Sequence, residues 1–405
     1  MLASLRRLVA IAAALFLAGC SSSSESGPVS YTLDPQDLLA YSHATALVPA
    51  SVVANGTSAV LFVDTGSPFV AIDPAAFGDV VANGAVGNLA LLQVGSSSFS
   101  DVQVVGASSL TPQDPHAPVV GVLGCSIICG HVASFDYQGA RFGLDGALTP
   151  PAVGPGTSFA FTLEGGGTVQ ASNAPVTYPA SRIVVDVMIE GAPHTMILDT
   201  GASYVTVRST VFATLTADGR TTMPADAETA SGADALTLAR AKAVVVGGVE
   251  ADGVVVAGGA DTLFDTVTTE VGQTIDGSLG GTFLQGYFLT IDYPNQKVTL
   301  APYADTSFVT DPGRRLGFDL ASANDVYVVA DVLPGTDAAA KGVSPGDTIV
   351  SIDGLELAAA DLSEAAEALR GVPGQAKTIQ FGEAEALANR TVTILVDELL
   401  PLPGM

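Results

Sequence analysis

The sequence predicts a mainly β protein in which one lobe is duplicated and a smaller α+β domain follows. Three observations support this fold class. Hydrophobic residues make up 48% of the chain, with 44 glycines and much valine and alanine, which suits a well-packed β-rich protein of two or three domains. The first part contains an internal repeat, and the composition changes from about residue 314.

The repeat covers two separate segments of each copy. Residues 56–77 align without gaps on 191–212, and residues 121–144 align without gaps on 277–300. In the first segment of each copy, two apolar runs joined by a tight turn end in Asp-Thr-Gly. Self-similarity of this kind indicates a duplicated structural unit.

Each copy places an aspartate at the end of an apolar strand. The sequences are Val63-Asp64-Thr65-Gly66-Ser67 and Leu198-Asp199-Thr200-Gly201-Ala202. A single Asp-Thr-Gly is as consistent with a turn that closes a strand as with a functional site. A buried carboxylate is costly unless it is paired, so two of them in register favour a paired site.

These motifs resemble the aspartic proteases, especially the small retropepsin-like lobes of bacterial proteins. The resemblance covers about residues 46–303 and implies two β-barrel lobes that form a pseudo-dimer within one chain. It implies that Asp64 and Asp199 are the catalytic pair and that Thr65 and Thr200 join the two loops. It further assigns supporting roles to Gly66, Ser67, Gly201 and Ala202, and a packing role to the apolar-Gly elements Leu123-Gly124 and Leu279-Gly280.

Paired carboxylates also suggest the chemistry. Two carboxylates held close together share one proton, so one can activate a water while the other donates to a carbonyl. This reaction needs neither a metal nor a cofactor. Ser67 has a hydroxyl where lobe 2 has Ala202. We therefore expect Ser67 to donate to Asp64, which would make Asp64 the ionised member of the pair.

Residues 1–20 read as a targeting segment. Arg6-Arg7 precede an apolar run that is too short to span a membrane comfortably, and Leu17-Ala18-Gly19-Cys20 resembles a bacterial lipobox. This resemblance implies a lipid on Cys20 and an envelope lipoprotein; the alternative is an ordinary secretory signal. Ser21 suggests sorting to the outer membrane, facing the periplasm or the cell surface. Residues 21–45 are predicted to be a tether and N-terminal segment.

The charge of the chain limits its partners. The formal net charge is −26, and removal of residues 1–20 with their two arginines would make it −28. Such acidity argues against nucleic-acid binding and against electrostatic membrane binding, which leaves the lipid as the anchor. Besides Cys20, the chain has only Cys125 and Cys129. They could form a disulfide or be two small buried apolar residues.

The two copies differ in length. Lobe 1 is predicted over 46–147, a Pro/Gly-rich connector over 148–174, and lobe 2 over 175–303. Gly121 follows Asp64 by 57 residues, whereas Gly277 follows Asp199 by 78. The surplus falls in 213–245 and contains Ser231-Gly232. By resemblance, a hairpin at this point forms a single flap over the cleft.

The C-terminal region, 314–398, resembles a PDZ domain. Its most specific feature is Pro345-Gly346-Asp347 followed by an apolar run. PDZ domains bind extended peptides by strand addition, and the element Leu316-Gly317-Phe318 is the expected peptide-binding loop. Asp319 lies beside this element and would repel a terminal carboxylate.

The leading functional hypothesis is a lipid-anchored periplasmic aspartic endopeptidase that works as a monomer on protein or peptide substrates. In this hypothesis the PDZ domain positions the substrate. An alternative is a catalytically inactive lipoprotein that binds peptides in the cleft and the PDZ domain. A serine protease with a PDZ domain is disfavoured, because no nucleophile motif is found with His and Asp in a suitable order. A dyad assembled between two chains is unnecessary when both motifs lie in one chain.

Overall fold

The computed structural model describes most of the chain after residue 47. The described residues are 29–30, 48–77, 80–107, 119–146, 148–150, 156–229, 232–323, 326–360, 362–382 and 390–404. The predicted signal segment, Cys20, Ser21 and most of the predicted tether lie outside them. None of the helices in these ranges combines the length and the apolar character needed to span a bilayer.

Lobe 1 is a closed six-stranded barrel with the strand order β2-β3-β7-β4-β6-β5. Strands β3 and β7 are parallel, as are β4 and β6. The elements up to the end of this lobe are β1 (Val29–Ser30), β2 (Pro49–Ala54), β3 (Thr57–Val63), β4 (Val70–Ile72), α1 (Pro74–Phe77), β5 (Val86–Val94), β6 (Ser97–Gly106), β7 (Val119–Leu123), α2 (Cys125–Ile128), β8 (Val132–Asp136) and β9 (Arg141–Leu144).

The predicted connector contributes two strands that pair with strands of lobe 2. It contains β10 (Thr157–Ala160), β11 (Thr162–Glu164) and β12 (Gly167–Gln170), and β13 (Pro175–Tyr178) follows. Strand β10 pairs with Lys297–Leu300 near the end of lobe 2, and β11 pairs with Arg182–Val184 at its beginning. Backbone hydrogen bonds therefore hold the connector against lobe 2.

Lobe 2 repeats the pairing of lobe 1 and extends it into a ten-stranded sheet. The order β14-β15-β22-β16-β21 has the same parallel and antiparallel pairs as β2-β3-β7-β4-β6. The elements are β14 (Arg182–Ile189), β15 (Ala192–Leu198), β16 (Val205–Val207), α3 (Ser209–Leu215), β17 (Thr222–Thr229), β18 (Gly232–Arg240), β19 (Ala243–Val246), β20 (Val249–Asp252), β21 (Val255–Gly258), α4 (Asp261–Val271), β22 (Gly277–Leu279), α5 (Gly281–Leu284), β23 (Tyr287–Asp292) and β24 (Lys297–Pro302).

Equivalent tight turns precede the two aspartates. The turn residues of lobe 1 are Asn55 and Gly56, with φ of 49° and 86°; those of lobe 2 are Glu190 and Gly191, with φ of 50° and 83°. Two successive positive φ angles match the right-handed twist of a hairpin, and the second position in each turn is a glycine. The turn fixes the register of the strand that ends in each aspartate.

A shared sheet joins the two lobes. Its order is β1-β9-β8-β23-β24-β10, and β8 of lobe 1 runs antiparallel to β23 of lobe 2. Ser134 pairs directly with Thr290, and these two positions are equivalent in the repeat. The pseudo-two-fold axis of the duplicated lobes therefore passes between them. One hydrophobic core cluster contains residues of both lobes, including Leu61, Val63, Met196 and Leu198.

The C-terminal domain has a separate core that contains Leu316, Phe318, Ile352 and Phe381. Its sheet has the order β26-β27-β28-β30-β31, so β26 is an edge strand. The elements are β25 (Arg314–Arg315), β26 (Phe318–Ala323), β27 (Val326–Val332), α6 (Asp337–Ala340), β28 (Thr348–Ile352), β29 (Leu355–Glu356), a 3-10 helix (Leu357–Ala359), α7 (Leu362–Ala368), β30 (Ala376–Phe381), β31 (Thr391–Leu395) and β32 (Asp397–Glu398).

Candidate active site

The backbone holds Asp64 and Asp199 in equivalent positions. Each follows the buried end of a strand that lies parallel to the strand of an apolar-Gly element. The N–H of Asp64 donates to the Leu123 carbonyl at 3.0 Å, and the N–H of Asp199 donates to the Leu279 carbonyl at 3.1 Å. Each aspartate is thus fixed by the strand that the repeat places beside it.

The glycines of the apolar-Gly elements allow close packing of the loops. A Cβ at Gly124 would overlap the carbonyl oxygen of Phe69, and a Cβ at Gly280 would overlap that of Tyr204. Only a residue without a side chain permits this approach. The residue after each glycine bonds the aspartate loop: the Cys125 N–H donates to the Ser67 carbonyl at 2.8 Å, and the Gly281 N–H donates to the Ala202 carbonyl at 2.7 Å.

The two threonines link the lobes reciprocally. The Thr65 hydroxyl donates to the Leu198 carbonyl at 2.9 Å, and the Thr200 hydroxyl donates to the Val63 carbonyl at 2.8 Å. Each hydroxyl also accepts the backbone N–H of the other threonine, at 3.1 and 3.0 Å. These four buried hydrogen bonds cross from one lobe to the other and hold the loops together.

The threonine links bring the two carboxyls into contact. A side-chain hydrogen bond joins Asp64 to Asp199. The side chains are almost completely buried, with residue exposures of 1% and 3%. Gly66 N–H donates to Asp64 Oδ1 at 2.7 Å, and Gly201 N–H donates to Asp199 Oδ1 at 2.9 Å.

The glycines of the motif make this contact possible. A Cβ at Gly66 would overlap the carboxyl of Asp199, and a Cβ at Gly201 would overlap the carboxyl of Asp64. Each lobe therefore leaves room for the aspartate of the other. The geometry requires glycine at both positions.

The two carboxyls are electrostatically unequal. Burial raises the pKa of Asp64 well above its usual range, and both the charge of Asp199 and the shared hydrogen bond add to this rise. Burial also raises the pKa of Asp199, but the hydrogen bond from Asp64 and the N–H groups of Gly201 and Ala202 oppose the rise. Among the described residues, no N–H or hydroxyl donates to the buried Asp64 Oδ2. These contributions favour the shared proton on Asp64 and the charge on Asp199.

This assignment reverses the expectation from the sequence. The Ser67 hydroxyl donates to the carbonyl of Phe69 at 3.2 Å, and the N–H of Phe69 lies 3.4 Å from the same hydroxyl oxygen. Ser67 is thus used to shape its own loop. The prediction that the Ser67 hydroxyl donates to Asp64 was wrong, because it assumed a side-chain direction that the sequence does not specify.

Two buried tyrosines, one from each lobe, feel the charge of the pair. Tyr137 and Tyr293 are equivalent in the repeat and only 2% and 4% exposed. Burial is the main cause that raises the pKa of each; Asp199 adds to it for Tyr137, and Asp64 adds to it for Tyr293. Each tyrosine is therefore coupled electrostatically to the aspartate of the other lobe. The sequence contained the repeated Asp-Tyr pair but gave no reason to place it at the site.

A buried cation also acts on the pair. Arg182 begins β14 and donates to Glu270 Oε2 through Nε at 3.0 Å and Nη2 at 2.9 Å. Its positive charge lowers the pKa of both Asp64 and Asp199. The sequence signal for Arg182 was its position directly before the apolar run Ile183-Val184-Val185, since a buried charge needs a partner.

The surplus of lobe 2 contains a long antiparallel hairpin. Strands β17 and β18 pair over their full length, from Thr222 with Ala239 to Thr229 with Gly232. The hairpin lies at one edge of the lobe 2 sheet. Gly232 begins β18, whereas Ser231 and the side chains of 226–234 lie outside the described residues. The surplus therefore forms a hairpin, and its role as a flap stays a prediction.

The Leu316-Gly317-Phe318 element already has intramolecular partners. Leu316 N–H donates to the Leu369 carbonyl at 2.7 Å, and Phe318 N–H donates to the Leu316 carbonyl at 2.8 Å. The Phe318 carbonyl accepts from Arg315 Nη1 at 2.9 Å, and the same guanidinium bonds Asp319 at 2.6 Å. A terminal carboxylate would have to displace these bonds and meet the charge of Asp319.

Cys125 and Cys129 form a disulfide at α2, beside the aspartate loop of lobe 1, with their Cα atoms 4.7 Å apart. This resolves the two alternatives left open by the sequence. Within the described ranges, no three His, Cys, Asp or Glu side chains are grouped as metal ligands would be.

Comparisons with known proteins identify two segments. Residues 185–267 match the family model described as "gag-polyprotein putative aspartyl protease". Residues 305–381 match the model of the PDZ domain. The chain carries a retropepsin-like aspartyl protease segment followed by a PDZ domain. The predicted fold class, mainly β lobes followed by an α+β PDZ domain, is confirmed.

Solved structures resemble separate parts of the chain. An aspartic proteinase from Irpex lacteus is 16% identical, covers 71% of this chain and all of its own, and has a TM-score of 0.42. The PDZ domain of a carboxy-terminal protease from Vibrio cholerae, solved with a peptide, is 21% identical over 21% of this chain and 93% of its own, with a TM-score of 0.19.

A photosystem II D1 C-terminal processing protease is 22% identical over 23% of this chain, with a TM-score of 0.21. The matched region spans 26% of that protease. A search of curated proteins gave no match.

Proposed function

We propose that the chain is an aspartic endopeptidase in which Asp64 and Asp199 form a complete catalytic pair. The observation that carries the proposal is the reciprocal link between Thr65 and Thr200, which brings the two buried carboxyls into hydrogen-bond contact. The matched aspartyl protease segment supports it. Because both motifs lie in one chain, a monomer is sufficient.

The inequality of the carboxyls assigns their roles. Asp199, the ionised partner, takes a proton from a water molecule that attacks the peptide carbonyl. Asp64, the protonated partner, donates to the carbonyl oxygen as it becomes negative. The charge of Arg182 keeps the pair from binding a second proton too readily, because it favours the ionised form of one carboxyl.

The proposal assigns substrate positioning to two further elements. The hairpin β17–β18 serves as a single flap that covers the cleft and excludes water. The edge strand β26 of the PDZ domain binds an extended segment of a protein substrate. Internal segments are favoured over chain ends, since the N–H groups of Leu316 and Phe318 are already bonded and Asp319 is negative.

We further propose that the protein is a lipoprotein of the bacterial cell envelope, anchored by a lipid on Cys20 and facing the periplasm or the cell surface. The motif Leu17-Ala18-Gly19-Cys20 after an apolar run supports this location. Mass spectrometry of the protein purified from a bacterial membrane should show a lipid-modified Cys20 at the N-terminus. Recovery of an unmodified soluble protein would contradict it.

Peptide-library cleavage tests the catalytic proposal. Wild type, Asp64→Asn and Asp199→Asn are compared at matched concentration over a range of pH. Each substitution removes one of two acid–base groups, so we expect turnover to fall by about 10²- to 10⁴-fold. Substantial activity in either variant, or recovery when the two are mixed, would refute a self-contained pair. A wild type that binds peptides without cleaving them would favour the inactive peptide-binding alternative.

A further inference from the structure

The PDZ domain contacts lobe 2 through the base of the hairpin. Arg240 ends β18 and is only 4% exposed. Its Nη2 bonds both carboxylate oxygens of Asp311 at 2.9 Å and Glu398 at 3.1 Å, and its Nε bonds the Leu400 carbonyl at 2.5 Å. One buried guanidinium therefore joins the hairpin to two segments that flank the PDZ domain.

Apolar packing reinforces this contact. Leu400 is completely buried, in a cluster with Met223 of β17 and with Leu236 and Leu238 of β18. The same cluster contains Tyr204, five residues after Asp199. Leu400, after the PDZ domain, thus shares one buried apolar cluster with both strands of the hairpin and with Tyr204.

A second arginine contacts the other strand of the hairpin. Arg315 Nη2 lies 3.9 Å from Met223 Sδ, while its Nη1 bonds the Phe318 carbonyl and Asp319. The Gly317 carbonyl points towards β27 and accepts the N–H of Leu333, the residue after that strand. Because successive residues of a strand point their backbone groups to opposite sides, the Phe318 carbonyl faces the open edge of β26. Arg315 therefore connects the peptide-binding edge of the PDZ domain with the hairpin.

We infer that Arg240 and Arg315 are positioning residues that make the C-terminal domain a structural support of the hairpin over the active site. A domain that only recruits substrate would need no such contacts. With this support, the hairpin keeps its position only when the PDZ domain is docked. An extended segment that adds to β26 must compete with Arg315 for the Phe318 carbonyl, so the two sites are coupled through this side chain.

Kinetics on a short peptide separate support from recruitment. The substrate is a cleaved library peptide of about eight residues, used with the full-length chain. We expect Arg315→Met and Arg240→Met each to lower kcat/KM about tenfold, mainly through KM, because a poorly placed flap weakens substrate binding. Arg315→Lys, which can still pair with Asp319, should recover part of the loss. This arm of the experiment rests on the proposed function.

Hydrogen exchange tests the inference without any activity. Backbone N–H groups of 222–229 and 235–240 should exchange about tenfold faster in Arg315→Met than in wild type, because local opening depends on local contacts. The control is Lys341→Met, which removes a cation that bonds Asp337 and the Thr393 carbonyl within the PDZ domain. It should leave the hairpin and the kinetics unchanged.

The outcomes are distinct. Faster hairpin exchange with an unchanged melting temperature supports a positioning role even if wild type proves to lack peptidase activity. Hairpin exchange that equals wild type in Arg315→Met overturns the inference for Arg315. If Arg240→Met fails to fold, Leu400→Ala replaces it, and unchanged hairpin exchange in that variant overturns the inference for the C-terminal segment.

Discussion

Lobe 1 and lobe 2 share one scheme of strand pairing but differ at their edges. Lobe 1 closes into a barrel, whereas the lobe 2 sheet continues into β17–β18 at one end and β19–β20 towards the other. Lobe 1 carries the disulfide of Cys125 and Cys129, while the equivalent positions of lobe 2 are Gly281 and Gln285. Lobe 2 has instead the contact with the PDZ domain through Arg240.

The parts that meet at the pseudo-two-fold axis remain equivalent. The threonine bonds, the glycine contacts and the N–H bonds to Asp64 and Asp199 occur once in each direction. A reaction that needs two carboxyls in contact requires this symmetry, and the outer parts of the lobes do not. The two copies have therefore diverged in the parts that do not contact each other. The pKa values of the two carboxyls are the exception, because different groups act on Asp64 and Asp199.

The first prediction tests the symmetry at the centre and has the largest expected effect. Gly66→Ala and Gly201→Ala should each lower kcat/KM by about 10²-fold or more, because the new Cβ displaces the carboxyl of the opposite lobe. Kinetics of both purified variants on a cleaved peptide would check this. The matched controls are Gly130→Ala and Gly286→Ala, which are also equivalent in the repeat and have no close contact at the Cβ position. A large loss in only one of the two test variants would contradict the symmetry.

The second prediction tests the asymmetry at the edge. Deletion of 229–234 should spare folding but lower kcat/KM about tenfold, since a shortened flap excludes less water and orders less of the substrate. Circular dichroism and steady-state kinetics measure the two effects. Lobe 1 has only residues 78–85 between α1 and β5, so it offers no replacement. Unchanged kinetics for the deletion would remove the flap from the mechanism.

The sequence predicted the central symmetry well because it is written in short, repeated motifs. The Asp-Thr-Gly loops, the apolar-Gly elements and the surplus that forms β17–β18 could all be located by aligning the copies. Hydrogen-bond directions could not be located in this way. Ser67 bonds Phe69 within its own loop, an outcome that depends on a rotamer and not on residue type.

Contacts between distant segments were also missed. Arg240 bonds residues that lie 71, 158 and 160 positions away, and no local pattern encodes such a partner. Tyr137 and Tyr293 were visible as a repeat, but their electrostatic coupling to the aspartates depends on how β8 and β23 pair across the axis. A single sequence specifies residue types and their spacing, whereas contacts between distant segments follow from how the lobes pack.

The last prediction tests which carboxyl carries the proton, through the pH dependence of stability. The pKa of Asp64 is raised on folding, so the folded protein holds this proton at pH values where the unfolded chain, with a pKa of about 3.9, has lost it. The stabilisation is complete below that pH and is lost as the pH rises through the folded pKa of Asp64. The free energy of unfolding of wild type should therefore fall by up to about 1.4 kcal/mol for each pH unit in this window.

Asp64→Asn cannot lose a proton at this position, so urea unfolding from pH 4 upward should show it gaining stability relative to wild type as the pH rises. The other acidic groups are common to both proteins and cancel in the difference. Asp199→Asn is the matched control. It removes the negative charge that helps to raise the pKa of Asp64, but it leaves Asp64 buried and titratable. Its unfolding free energy should therefore keep part of the wild-type decline. If Asp199→Asn flattens the pH dependence more than Asp64→Asn does, the proton resides on Asp199 and the assigned roles are reversed.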